Sequence, residues 1–418
     1  MQYVYKFILN TDINTRRILL WWCRASKNLY NQSLYEIKKS LKDENKFLFY
    51  SDLEKMMKSK QNLEGDINYR LVGKAQVAQQ CIKTLDKSLK GYFKANSEYK
   101  KNPSKFLGKP KLPNYCKEDV KQLIFTNQAC SIKQGKIFFN KATFIKIPQY
   151  DKYKNLILNF NQIRVNPKYN GEILECEIIY TVENNFEELD YDRYSSIDLG
   201  VDNLVTLVND YSNPIIYSGK QVKSINQYFN KEISIIKGEV KKSQNKNTSK
   251  KLVALNDKRN KQINDIFHKV SRHIVNQLIK NKVGNLVVGY NKEWKDSINL
   301  GHKTNQTFVQ IPYLKLINYL KYKCEKVGIK FQTNEESYTS KCDSLSLEKI
   351  GKHEDYLGKR IKRGLFQSST CKLINADVNG SLNIMRKVVD DSYVNKIFNS
   401  GRLFLPLKFK NLYDLRTL

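Results

Sequence analysis

Asp198 stands inside a run that otherwise reads as a buried strand. The run, residues 195–208, is SSIDLGVDNLVTLV. Strands covered on both faces read as near-continuous apolar runs. A carboxylate placed in one is costly unless it is paired, hydrogen-bonded or bound to a cation. Asp198 is therefore better explained as a ligand than as core. Gly200, two residues on, lets another backbone or a phosphate come close.

What surrounds this run has an α/β rhythm. Residues 214–217 read as its hairpin partner. A basic stretch, 237–261, leads into a long amphipathic helix through Leu278, with Ile263, Ile266, Phe267, Val270, Ile274 and Leu278 on one stripe. Residues 285–290 form an apolar, buried strand. Residues 313–327 are a helix with Gly328 as its stop, and 329–333 the next strand. A last helix starts near Ala376 and carries Leu382, Ile384 and Val388. Strand, hairpin, helix, strand, helix, strand, helix is the order that an RNase H-type sheet needs.

The first half is different. Residues 2–9 alternate as a strand does, and helical stretches follow at 14–41 and 76–93. From residue 104 short alternating runs separated by turns read as antiparallel strands: 122–126, 136–139, 144–147, 163–165 and 174–182. A helical block is thus inserted into a β-rich block whose first strand pairs with later ones.

Charge narrows the function. The 418 residues hold 73 Lys+Arg against 41 Asp+Glu, a net charge of +32. Such a surface repels itself unless an anionic partner neutralises it, and polyphosphate is the obvious one. No run of about 18 apolar residues is present, so no membrane span is expected. The N-terminus is too short and polar for a signal peptide. A cytoplasmic, nucleoid-associated protein is expected. None of the eight cysteines stands in a CxxC pair.

A second carboxylate begins the last helix in NADVNGSLNI, at Asp377. Alone it reads as a first-turn or capping acid. With Asp198 it suggests a metal site, because two Mg²⁺ about 4 Å apart need several carboxylates on one edge. SSIDLGVDNLVTLV, VGNLVVGYNKEWK, EESYTSK, KRIKRGLF and NADVNGSLNI occur in this order. In that order the chain resembles the TnpB family of transposon-encoded RNA-guided DNA endonucleases, relatives of the compact type V CRISPR effectors. The likeness is firm over residues 194–386 and looser before them.

The resemblance implies an α/β and α+β multidomain protein. Its parts would be a RuvC/RNase H-like nuclease domain and a β-barrel wedge domain with an inserted helical recognition lobe. Residues 1–12 would be the first wedge strand, 13–103 the recognition lobe and 104–190 the rest of the barrel. Residues 191–341 would be the first part of the nuclease domain, 342–371 a degenerate zinc-ribbon-like insertion, 372–395 the last nuclease helix and 396–418 a C-terminal tail. It also implies Mg²⁺ or Mn²⁺, a guide RNA, and double-stranded target DNA read by base pairing.

Two departures from the family stand out. The family's second acid, a Glu closing the strand 285–290, is replaced by Gly289. The acid has either moved or been lost. If moved, Glu336 is favoured by its place before Tyr338-Thr339-Ser340. Asp198, Glu336 and Asp377 would then be the catalytic, metal-holding set, with Glu335 and Glu293 as alternative acids. If lost, the protein is a nuclease-inactive, RNA-guided DNA-binding repressor. A transposase proper, acting on transposon ends without a guide, is a further rival. The second departure is the zinc ribbon, of which only Cys342 and Cys371 remain beside Asp343 and His353. Zinc is not expected there.

Lys359, Arg360, Lys362 and Arg363 precede the last acid and are read as nucleic-acid-binding. The stretch 237–261, with nine Lys or Arg, is either a phosphate-tracking helix pair or an exposed hairpin. Trp21, Trp22, Tyr30 and Tyr35 read as core more than as base-stacking platforms. His268 and Ser271 read as boundary side chains of the long helix.

Overall fold

The computed structural model describes residues 2–183, 186–244, 249–291 and 310–415. The chain divides into two units, Met1–Glu183 and Asn184–Leu418.

In the first unit the opening strand β1 (Gln2–Ile8) pairs antiparallel with β7 (Ile173–Thr181), more than 160 positions away. The sheet continues through β6 (Phe160–Lys168) to β2 (Leu123–Thr126). A separate antiparallel sheet holds β3 (Ser131–Lys133), β4 (Lys136–Phe138) and β5 (Phe144–Lys146), and the short helix α5 (Tyr150–Ile157) follows it. The inserted helices are α1 (Ile13–Asp43), α2 (Tyr50–Met57), α3 (Asn68–Leu71) and α4 (Ala75–Lys101). Asp12 starts α1 by accepting the Thr15 N–H at 2.8 Å. Leu19, Trp22, Leu29 and Ile37 of α1 face Val77, Ile82, Leu85 and Leu89 of α4 in one core. Trp22 is core, and it lies so close that a Cβ on Gly73 would come within 2.5 Å of its ring. Trp21, by contrast, is 48% exposed and Tyr35 54%, so of these aromatics only Trp21 and Tyr35 offer open rings.

The second unit is built on a six-stranded sheet. β8 (Asp190–Leu199), β9 (Asn203–Asn209) and β10 (Ile215–Ser218) run antiparallel. Helices α6 (Lys220–Gln244) and α7 (Lys250–Lys280) then lead to β11 (Val283–Gly289), which pairs parallel with β8. Helix α8 (Tyr313–Val327) crosses over to β12 (Lys330–Asn334), parallel to β11. A short sheet of β13 (Lys359–Lys362), β14 (Leu365–Gln367) and β15 (Leu373–Asn375) precedes α9 (Ala376–Arg386) and α10 (Asp391–Asn399). The α7 stripe and Leu316, Leu320 and Cys324 of α8 cover one side of the large sheet, against Ile197, Leu199, Leu286 and Val288. Helix α9 lies on the other side, with Ser196 Oγ donating to Ser381 O at 2.7 Å. Alternation along β8 therefore aims Asp198 at α9.

Two expectations need correction. Residues 195–208 are two strands, not one. The turn at 200–202 folds β9 back on β8, with Leu199 opposite Val205. Both strands are apolar, so periodicity does not show the break. Residues 396–418, expected as a tail, contribute β16 (Leu407–Phe409), which joins the sheet parallel to β10.

The α7–α8 interface buries an amine. Lys323 is 3% exposed, and its Nζ donates to His268 O at 2.7 Å and Ser271 Oγ at 2.6 Å. Burial, then the Arg272 charge, lowers its pKa to about 7. His268, stacked on Tyr319, is pushed down to about 4 by burial and by Lys323. Between about pH 7 and its ordinary 10.5 the unfolded chain holds a Lys323 proton that the folded chain has released. Stability from this group therefore rises with pH across that window, and the penalty is complete at its lower end. Lys323→Met is expected to raise the Tm by several degrees at pH 7, with the gain shrinking toward pH 10 in denaturation scans.

Candidate acidic site at the sheet edge

Asp198 is the second-last residue of β8, the strand flanked by β9 and β11. Its carboxylate lies against the backbone of α9 at Gly380, where an added Cβ would stand 3.0 Å from Oδ2. Gly380 is what lets the helix come so close. Burial raises the Asp198 pKa well above the ordinary carboxylate value, and the charges of Glu336 and Asp377 raise it further. Arg360 opposes them only in part.

Glu336 follows β12 by two residues. Its carbonyl accepts the Thr339 N–H at 3.1 Å and hydroxyl at 2.8 Å. Lys387 clamps the same loop by donating to Glu335 O at 2.7 Å and Ser337 O at 3.1 Å. This turn aims the two neighbouring glutamates apart. Glu335 is exposed, and its carboxylate is taken by Ser337 Oγ. Glu336 points inward and fills the space beside Gly289. Its Oε1 is shielded from solvent, and among the described residues no donor reaches it. Burial pushes its pKa up to about 8, against the pull of Lys387.

Asp377 is the second residue of α9, but it is not the cap. Asn375 caps the helix, accepting from the Asp377 and Val378 N–H groups at 3.0 and 3.3 Å. The Asp377 carboxylate is thereby left to accept Asn203 Nδ2 at 2.6 Å and to face Arg360 Nη2 at 3.8 Å.

Of the four expected basic residues, Arg360 and Arg363 reach the acids, the latter pairing with Asp202. Lys359 and Lys362 are exposed on β13. Glu293 lies outside the described residues. Among the described residues no group of three or more His, Cys, Asp or Glu is set closely enough to hold an ion as it stands. Cys342 Sγ rests on the Lys349 and Gly351 carbonyls, and Cys371 is an exposed free thiol. Asp343 accepts from Ser368 Oγ, Ser369 N and Leu345 N at 2.7–3.0 Å, while His353 bonds Lys349 O. These side chains hold their loop together.

Sequence reasoning missed five members of the site: Asp202, Lys223, Asn203, Lys408 and Tyr313. Asp202 sits in the β8–β9 turn beside Lys223 Nζ at 2.6 Å. Partial burial would raise its pKa, but Lys223 and Arg363 outweigh that and hold it low. Asn203 bridges Asp377 to Lys408 of β16, which donates at 3.0 Å. Tyr313, buried at the start of α8, has its phenol pushed up by burial and by the charges of Asp198, Glu336 and Asp202. Asp202 and Asn203 stood within the quoted Asp198 segment, a signal that was open to reading.

Two family models match this unit and the strand before it. A family described as a probable transposase, OrfB_IS605, matches residues 178–295. A Cas12f1-like TNB domain matches residues 313–384. The TnpB-like protein ORF457 of Acidianus two-tailed virus is 24% identical over 206 residues, 47% of this chain. The match spans 42% of that relative, so less than half its length is represented here. Over these segments the chain is similar to TnpB-like proteins. The fold agrees. A cryo-EM structure of a Cas12f1–sgRNA–target DNA complex superposes with a TM-score of 0.57, covering 89% of this chain and 83% of that one at 17% identity. In this chain the transposase match carries Asp198, Asp202, Asn203 and Gly289. The TNB match carries Tyr313, Glu336, Arg360, Asp377 and Gly380. Among the described residues no helix is long and apolar enough to cross a membrane.

Proposed function

We propose that this chain is an RNA-guided DNA endonuclease with a RuvC-like, RNase H-type site whose acids are Asp198, Glu336 and Asp377. The observation that carries the reading is the shielded oxygen of Glu336, which has no donor among the described residues, beside the desolvated carboxylate of Asp198. Two acids in such surroundings hold protons unless a cation takes their place. The donor set, all hard carboxylate oxygen, fits Mg²⁺ or Mn²⁺. The chemistry such ions supply when bound is charge neutralisation at the phosphodiester and acidification of a water. The wider reading adds a guide RNA, a double-stranded DNA target, and a first unit acting as wedge β-barrel with helical recognition lobe. The net charge of +32 and the Cas12f1-like fold support it.

The protein's own groups have definable tasks. Asn203 orients Asp377, and Lys408 orients Asn203. Lys223 holds Asp202 out of the charge balance of the other three acids. Arg360 and Arg363, 52% and 80% exposed, are free to exchange a carboxylate for an arriving phosphate. Replacing both by alanine is expected to weaken DNA binding about equally for all sequences. The slope of log K against log salt should fall by about 2 in filter-binding titrations.

The test is cleavage by the full chain purified with the RNA it carries, on a plasmid library holding the matched target beside randomised flanks. Mg²⁺-dependent cutting supports the reading; binding without cutting replaces it. Gly289, standing where the family's second acid would be, favours that second outcome, a guide-directed repressor.

A further inference from the structure

Gly289 and Glu336 contend for one volume. β11 and β12 run parallel with Gly289 opposite Asn334, so the end of one strand and the chain leaving the other meet at the same edge. A Cβ added at Gly289 would stand 2.7 Å from Glu336 Cγ and would collide with Glu336 Oε1 and Ile384 Cδ1. All seven residues of β11 are buried, and the Glu336 Oε1 is itself shielded from solvent. Gly289 is not among the positive-φ glycines. Space, not backbone conformation, therefore favours a glycine there, and the carboxylate of the neighbouring chain segment fills that space.

We infer that Gly289 is a positioning residue that admits Glu336 to the acidic site. The pocket takes one carboxylate, from position 289 or from position 336, and not both. The functional meaning rests on the nuclease reading above; the steric coupling rests on packing alone. Both positions lie on the α9 side of the sheet edge, where Ile384 bounds the pocket and Asp198 meets Gly380. A glutamate rooted in β11 would thus deliver its carboxyl to the place that Glu336 now reaches from the β12 loop.

The full chain, purified with its RNA, is compared with Gly289→Ala, Glu336→Ala, Gly289→Ala/Glu336→Ala and Gly289→Glu/Glu336→Ala. Tm is measured in EDTA, Mn²⁺ affinity by EPR titration, and cleavage on the plasmid library. Gly289→Ala should lower the Tm in the parent and lower it much less once Glu336 is alanine, since only the flexible tip of Ile384 then has to turn away. Glu336→Ala should weaken Mn²⁺ binding about tenfold or more, and Gly289→Glu should restore most of that loss, with cleavage. Additive Tm changes would overturn the coupling. A Gly289→Glu/Glu336→Ala protein that unfolds, or that folds but binds Mn²⁺ no better than Glu336→Ala, overturns the interchange. If the parent neither binds Mn²⁺ nor cuts while the Tm changes remain non-additive, the nuclease reading falls and the positioning role stands.

Discussion

Glu336→Gln is expected to cut matched DNA at least about a thousandfold more slowly than the parent, because a neutral amide cannot serve where a carboxylate must hold a divalent ion. DNA and guide binding should be retained, since the Glu336 carboxyl is turned into the acidic site. Stability should move the other way. With its pKa raised from an ordinary 4.5 to about 8, folded Glu336 keeps a proton that the unfolded chain has already lost. Over that window the group destabilises the fold increasingly as pH rises, and the penalty is complete above about pH 8. In EDTA the glutamine variant should therefore match the parent near pH 4.5 and gain in Tm as the pH climbs. Cleavage and thermal denaturation on one preparation check both halves. A variant that cuts like the parent would sink the relocated-acid reading and leave guide-directed binding.

Asp198→Asn should separate stability from function most widely. The parent places a desolvated carboxylate against α9 at Gly380, with two like charges close by. Relieving such a site commonly returns about 1–4 kcal/mol, which for a unit of this size is several degrees of Tm. We expect that gain in EDTA. We also expect Mg²⁺, which should stabilise the parent by binding its folded form, to stabilise the variant far less. Cleavage should be lost at every Mg²⁺ concentration. An asparagine variant that is less stable than the parent in EDTA would mean that the carboxylate is satisfied by the protein alone.

The variants isolate what each level of description supplied. Sequence alone determined the elements whose signal is local. The α7 stripe, the Gly328 stop of α8 and the strand carrying Asp198 follow from side-chain period, from a glycine able to adopt positive φ, and from the cost of burying a charge. It also placed Asp377 at a helix start and a basic cluster just before it. Tertiary structure alone decided that Glu336 and not its neighbour Glu335 turns inward, because adjacent residues differ in direction only through the turn held by Thr339 and Lys387. It likewise split residues 195–208 into two strands that are equally apolar, and carried β16 into the sheet. Asn203, Asp377 and Lys408 became partners across 174 and 205 positions. Contacts over such separations are fixed by how layers pack, and no periodicity within one segment records them.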